Sequence, residues 1–163
     1  MANEPSHWFW NGTPKQPSEC VIVDIDGVLA NASTRQHHLD PPWRDWDAFF
    51  ADCIYDESFE EIVTLIDLLD PKLIIVLLTS RPMWVQRPTL QWLAKFDIRF
   101  DLLIMRSIGD FQASPGFKKD ETKRLSAKGF VPRLAIEDDM RNVRMYRSIE
   151  VPTIFLESGY HPH

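Results

Sequence analysis

The sequence predicts an α/β fold in which helices cover both faces of a five-stranded parallel sheet. Short apolar runs of strand length recur along the chain, among them Val21-Ile22-Val23 and Leu73-Ile74-Ile75-Val76-Leu77-Leu78. Neither run alternates with polar residues, the pattern of strands buried on both faces. Stripes of helical period separate the runs, and strands alternating with helices build a parallel sheet with right-handed crossovers. Polar clusters close several of the runs. In such sheets ligands sit beyond the carboxyl ends of the strands, where the strand order reverses.

A chain of 163 residues, 44% hydrophobic and 26% charged, is of a size and composition for one globular domain. The net charge of −6 argues against a general nucleic-acid coat protein but leaves room for a local basic groove. Cys20 and Cys53 follow no CxxC or metal-finger spacing, no signal-peptide pattern opens the sequence, and no apolar run has the length of a membrane span. The expected setting is reducing and cytoplasmic.

Residues 1–19, punctuated by Pro5, Gly12, Pro14 and Pro17, read as an irregular arm whose Trp8-Phe9-Trp10 packs back onto the domain. The first strand covers roughly 20–25. The connection 27–56 that follows is long enough for a lid or binding loop. Trp46, Phe49 and Phe50 have helical spacing, so a short helix from about 44 to 53 caps the core, or forms an aromatic flap over the acids, or does both. Ser58 and Glu61 form a capping-box pattern, and Phe59, Ile62, Val63 and Ile66 fall on one stripe, which predicts a helix over 58–69 stopped by Pro71. The second strand, 73–78, runs into Thr79-Ser80-Arg81-Pro82. A helix from about 84 or 88 to 96 leads to the third strand, 101–105. A loop over 106–117 precedes a basic helix at about 118–128. The fourth strand, 131–136, ends in Glu137-Asp138-Asp139, and a helix over about 140–148 and a fifth strand at 151–155 complete a core of 20–156, leaving 157–163 as a tail.

Topology therefore brings Asp24 and Asp26, Thr79-Ser80-Arg81, and Glu137-Asp138 to one sheet edge, with Lys118 and Lys119 on the helix before the fourth strand. Carboxylates gathered at the mouth of buried strands repel one another and are costly there without a cation or proton between them. A hard divalent ion suits them, and Mg²⁺ in particular takes one or two carboxylates together with waters and substrate phosphate. A hydroxyl and backbone N–H groups after the second strand can hold phosphate oxygens. A lysine adds positive charge against the same anion. A carboxylate can attack phosphorus and form an acyl-phosphate. The set fits phosphoryl transfer onto an aspartate, followed by hydrolysis. Single features have plainer readings. Lys118, Lys119, Lys123, Arg124 and Lys128 alone would be a solvated helix face, Asp139 a helix cap, and His161 and His163 merely tail. His37 and His38 are adjacent and cannot share a helical face as a metal pair, so they belong to the flap or the surface.

Four motifs in this order resemble the haloacid dehalogenase (HAD) superfamily of phosphatases: Asp24-Ile25-Asp26-Gly27-Val28 for hhhDxDGx[TV], Leu78-Thr79 for hh[ST], Lys118, and the acidic pair Glu137-Asp138. The resemblance implies a Rossmann-like three-layer fold with a minimal cap. It implies Asp24 as nucleophile and Asp26 as the general acid that protonates the leaving oxygen and then activates water. Mg²⁺ would be held by Asp24, the backbone carbonyl of Asp26, Glu137 and Asp138, and phosphate by Thr79 and Lys118 with Ser80 beside them. A narrower resemblance runs through Met105-Arg106, Gly109-Asp110, Lys118, Leu134-Ala135-Ile136-Glu137-Asp138 and Val143…Met145-Tyr146-Arg147. These, with Thr79-Ser80-Arg81 in place of SGR, are similar to phage-type polynucleotide kinase 3′-phosphatase domains over about 20–156. That implies removal of a 3′-phosphate from nucleic acid or a nucleotide, with Arg81, Arg106 and Asp110 in substrate-binding or loop-ordering roles.

The chain departs from the pattern in places. No GxxxxGK[ST] occurs, so the kinase half is not among these residues. Val28 replaces the commoner threonine, Ser80 a glycine, and Glu137 an aspartate whose longer substitute is expected to shift the metal or act through water. Several readings stay open beside the 3′-phosphatase: a 5′-nucleotidase-like mononucleotide phosphatase, a phosphosugar phosphatase, a phospho-receiver domain and an inactive binding protein. A receiver needs its acceptor acid after the middle strand, where this chain has Met105-Arg106, and the intact Asp24, Asp26, Thr79 and Lys118 argue against lost activity.

Overall fold

The computed structural model describes residues 4–161. In chain order its elements are β1 (Trp8–Trp10), β2 (Glu19–Val23), β3 (Ala30–Asn31), α1 (Trp46–Ala51), β4 (Glu57–Ser58), α2 (Glu60–Leu68), β5 (Ile74–Pro82), α3 (Gln86–Lys95), β6 (Leu102–Arg106), α4 (Ser114–Ala127), β7 (Val131–Glu137), α5 (Met140–Ser148) and β8 (Thr153–Phe155). The period of two along the central strands sends alternate residues to opposite faces. Val21, Val23, Ile75 and Leu77 pack against Ile62 and Ile66 of α2 and Trp92 and Leu93 of α3. Cys20, Ile22, Ile74 and Val76 pack against Phe117 and Leu125 of α4 and Met145 and Tyr146 of α5. Two apolar layers thus clamp one sheet, as the unbroken apolar runs require.

The sheet order is β1-β6-β5-β2-β7-β8. β2 pairs in parallel with both β5 and β7. The chain builds outward from β2 through β5 to β6, then crosses back by α4 to β7 on the other side. The strand order therefore reverses beside β2, and the carboxyl ends of β2, β5 and β7 open on one crevice. Among the described residues no helix is long and apolar enough to cross a membrane.

Five parallel strands match the expectation, but the sheet has a sixth. The arm expected to be irregular contributes β1, which pairs antiparallel with β6, Trp8 opposite Ile104. Trp8 is buried, and its indole N–H donates to Glu121 Oε2 at 2.7 Å, while His7 Nε2 lies 2.9 Å from Glu121 Oε1. A three-residue strand offers too little periodicity to show in sequence. What fixes it is the unpaired edge of β6 and the buried carboxylate on α4.

Other boundaries move for local reasons. The helix expected from Ser58 starts at Glu60 without a side-chain cap, because Ser58 pairs with Ala30 in a small β3–β4 ribbon. β5 continues through Thr79-Ser80-Arg81 to Pro82, beyond the expected end of that strand. α4 begins at Ser114, with Pro115 in its first turn, a position proline favours. The flap holds α1, as the aromatic spacing predicted, together with a 3₁₀ helix at Ala32–Leu39 that the polar sequence did not announce.

Trp8→Ala removes a buried ring and one partner of Glu121. We expect a loss of about 3–5 kcal/mol, read by denaturant unfolding. A loss under about 1 kcal/mol would show that the edge strand contributes little to the fold.

Candidate active site

Asp24 is the first residue past β2, and its N–H still donates to Ile136 O of β7 at 3.1 Å. The chain then turns at once. Ile25 O accepts from the backbone N–H of Val28, Leu29 and Ala30, at 3.2, 2.9 and 2.8 Å. Gly27 lies in this turn at φ +80°, and a Cβ there would sit 2.0 Å from Asp138 Oδ2. Both the backbone conformation and the approach of Asp138 demand glycine. The turn also separates the two acids that a continuous strand would have left on one face.

Asp24 faces the acids of β7. One carboxylate oxygen from each of Asp24, Glu137 and Asp138 can be chosen so that all three lie within 4.8 Å of one another, and all three residues are buried. Lys118, 1% exposed, reaches into the group from the first turns of α4. Its Nζ lies 3.0 Å from Asp24 Oδ2 and 2.7 Å from Glu137 Oε2. Burial, then the neighbouring Glu137 carboxylate, raise the Asp24 carboxyl well above the ordinary range, and Lys118 offsets only part of this. Asp138 is likewise raised, chiefly by burial. Lys118, not Lys119, is the lysine among the acids. This donor set, all oxygen and negatively charged, fits a hard divalent cation. Asp139 turns away to cap α5, accepting from Arg141 N at 2.9 Å.

Asp26 occupies a different environment. Its carboxylate was expected near the metal only through its residue's backbone carbonyl, and its side chain stands outside the acid cluster. Arg81 Nη2 donates to Asp26 Oδ1 at 2.6 Å, and Arg35 Nη2 donates to the same oxygen. Burial would raise this carboxyl, yet the two guanidinium groups hold it well below the usual carboxylate range. Behind them Asp56, 1% exposed, accepts from Arg35 Nη2 at 2.8 Å. Arg35 also donates to Phe49 O of α1 at 3.0 Å, and its guanidinium stands 4.2 Å over the Phe49 ring. The flap is thereby tied to Asp26. Arg35 and Asp56 both lie in the connection 27–56, and sequence reasoning gave neither a role. Neither belongs to a motif, and only the fold brings them beside Asp26.

The segment after Leu78 divides its tasks. Thr79 is buried, and its Oγ1 accepts from Arg81 N at 3.1 Å. Ser80 Oγ meets Ser114 Oγ at 2.8 Å, so this hydroxyl ties β5 to the start of α4. Arg106 donates to Ser80 O at 3.3 Å and to Gln112 O at 2.7 Å, with Asp110 at 3.6 Å. Those contacts order the loop after β6. The tail contributes too: Ser158 Oγ donates to Asp138 Oδ2 at 2.5 Å, and His161 Nε2 lies 3.4 Å from the same oxygen. His161 is therefore no mere tail residue; His163 lies outside the described residues.

The family model for the polynucleotide kinase PNKP phosphatase domain, of the HAD type, matches residues 18–160. The fold is similar to two structures of the Pnkp1/Rnl/Hen1 complex, the first titled as an RNA repair complex, at TM-scores of 0.73 and 0.69 and 22% and 21% identity. Each match covers 96% of this chain but only 47% and 50% of the other, so the chain spans about half the length of those proteins. A haloacid dehalogenase-like hydrolase from Streptococcus pneumoniae is similar at TM-score 0.58 and 14% identity, covering 86% of this chain and 84% of that one. No curated protein sequence matches the chain. The chain belongs to the PNKP phosphatase-domain family and is a phosphatase of the HAD type.

The two aspartates should respond oppositely to amidation in metal-free buffer. Asp24→Asn removes one of three mutually repelling carboxylates, so its unfolding midpoint should equal or exceed that of the unmodified protein. Asp26→Asn leaves two buried guanidinium groups short of an anion and should cost about 3–5 kcal/mol. Denaturant unfolding in EDTA checks both; equal losses would contradict the division between the two acids.

Proposed function

We propose that the chain is a Mg²⁺-dependent phosphomonoesterase that removes the 3′-phosphate from a nucleic-acid end or a nucleotide through a phosphorylated Asp24. The observation that carries this reading is the buried group of Asp24, Lys118, Glu137 and Asp138 at the reversal point of the sheet, in a chain of this family. In the first step an Asp24 carboxylate oxygen attacks phosphorus, the P–O bond to the ester oxygen breaks, and the leaving oxygen takes a proton from Asp26. In the second step water attacks phosphorus and gives a proton to Asp26. The Asp24–phosphorus linkage breaks, releasing inorganic phosphate and restoring the carboxylate. Lys118 and the backbone and hydroxyl of Thr79 hold the phosphate oxygens. Asp24, Glu137 and Asp138, with the Asp26 carbonyl, would hold Mg²⁺, which would supply neutralisation of phosphate charge.

The arginine contacts of Asp26 favour its carboxylate, the form that accepts a proton in the second step. For the first step Asp26 must carry a proton. An arriving phosphate anion repels the carboxylate and competes for Arg35 and Arg81, and both effects favour protonation.

Exposed rings on the connections that leave the carboxyl ends of β2, β5 and β6 support a substrate with bases. Trp43 is 85% exposed on the flap and Phe111 is 93% exposed in the loop after β6, with Trp84 half exposed just past β5. Trp46 stacks on Phe50, and Trp43 and Trp46 line one open groove. Exposed rings are suited to stacking bases of any identity. One of the structures similar in fold is a Pnkp1/Rnl/Hen1 RNA repair complex, which supports the same reading.

The test is a panel of 3′-phosphorylated oligonucleotides, 3′- and 5′-mononucleotides and sugar phosphates, each with Mg²⁺ and with EDTA. We expect turnover of the 3′-phosphorylated nucleotides only with Mg²⁺, and its abolition in Asp24→Asn with the fold intact. Turnover confined to 5′-mononucleotides or to sugar phosphates would overturn the substrate assignment. Stable phosphorylation without turnover would mark a receiver domain.

A further inference from the structure

After β8 the chain does not leave the domain. Residues 157–161 double back to Asp138, and Glu157, Ser158, Gly159 and His161 line a small recess together with Asp138, Met140 and Phe155. Two contacts from this segment fall on a single atom, Asp138 Oδ2: Ser158 Oγ at 2.5 Å and His161 Nε2 at 3.4 Å. The same oxygen is the one that packs against Gly27, where no Cβ could fit. The segment is itself anchored. Tyr160 N donates to Ser158 Oγ at 3.2 Å, fixing the hydroxyl, and Tyr160 OH donates to Asn31 Oδ1 at 2.9 Å. Asn31 caps the 3₁₀ helix that carries Arg35, so the strap joins the flap to the acid cluster.

We infer that Ser158 and His161 are positioning residues for the divalent cation: they hold Asp138 Oδ2 so that Oδ1 is the oxygen presented to the ion. This rests on the reading of Asp138 as a cation ligand given above. A carboxylate free to rotate would offer either oxygen, and ordering it would cost part of the binding free energy. Partners that orient a ligand in advance remove that cost, and losing them typically weakens metal binding about 10–100-fold. The device is built from residues at the far end of the chain and replaces nothing in the four motifs.

The experiment titrates Mg²⁺ and Mn²⁺ into the full chain by calorimetry, without substrate. Unmodified protein is compared with Ser158→Ala, His161→Ala, the double variant, Ser158→Thr and Asp138→Asn. We expect the double variant to bind about tenfold more weakly, each single variant to bind more weakly by less, and Ser158→Thr to keep the unmodified affinity. The Mg²⁺ concentration for half-maximal turnover should rise in parallel, with kcat at saturating Mg²⁺ unchanged within about twofold. Affinity unchanged in the double variant while Asp138→Asn loses it would overturn the inference and leave the cation site standing. A fall in kcat at saturating Mg²⁺ with a lowered thermal midpoint in metal-free buffer would show a structural role and overturn it equally. If the unmodified protein binds neither ion, the cation reading itself fails, and this inference with it.

Discussion

Like charges buried side by side govern this molecule. Asp24, Glu137 and Asp138 arrive from two adjacent strand ends, and among the described residues one ammonium, that of Lys118, stands among them. A sheet whose order reverses at β2 makes the arrangement unavoidable, because the ends of β2 and β7 are neighbours by hydrogen bonding. The fold holds these carboxylates together through two packed apolar layers, and the cluster in turn favours whatever positive charge enters it. Stability and affinity are opposed here by the same physics. The Glu137 carboxylate that raises the Asp24 carboxyl is also one that favours a neighbouring positive charge.

The second constraint is the turn at Gly27. By sending Asp24 and Asp26 apart, it gives two identical side chains opposite surroundings. Asp24 sits among carboxylates, and Asp26 sits between two guanidinium groups. Pairs of titratable groups whose surroundings push them apart are the usual basis of distinct catalytic roles. The arginines also carry mechanical information. Arg35 belongs to the flap and reaches Asp26, while Asp56 at the far end of the same insert holds Arg35 in place. The flap and the carboxylate of Asp26 are therefore joined through one side chain.

The sheet, its central strands and the three polar clusters were legible because strand-length apolar runs and motif spacing are local signals. Asp24, Lys118, Glu137 and Asp138 meet as that reading required. What stayed hidden depends on contacts distant in sequence. Trp8–Trp10 becomes a strand only because β6 has a free edge and Glu121 waits beneath it. Ser58 gives up its expected capping role to pair with Ala30, a residue of the preceding connection. Arg35 and Asp56 carry no motif, and their pairing spans the flap. Ser80 reads as a phosphate ligand by its place in the motif, yet its hydroxyl is turned to Ser114. The tail carries little periodicity, and the contacts that order it end on Asp138, just past β7, and on Asn31 of β3.

The central claim is that Asp24 alone receives the phosphoryl group. Acid quenching of a single turnover on a 3′-phosphorylated oligonucleotide, followed by peptide mass mapping, tests it most directly. A phosphoryl increment is expected on the peptide containing Asp24, appearing and decaying within the turnover. Release of phosphate with no protein phosphorylation at any quench time, or an increment on any other residue, would contradict it.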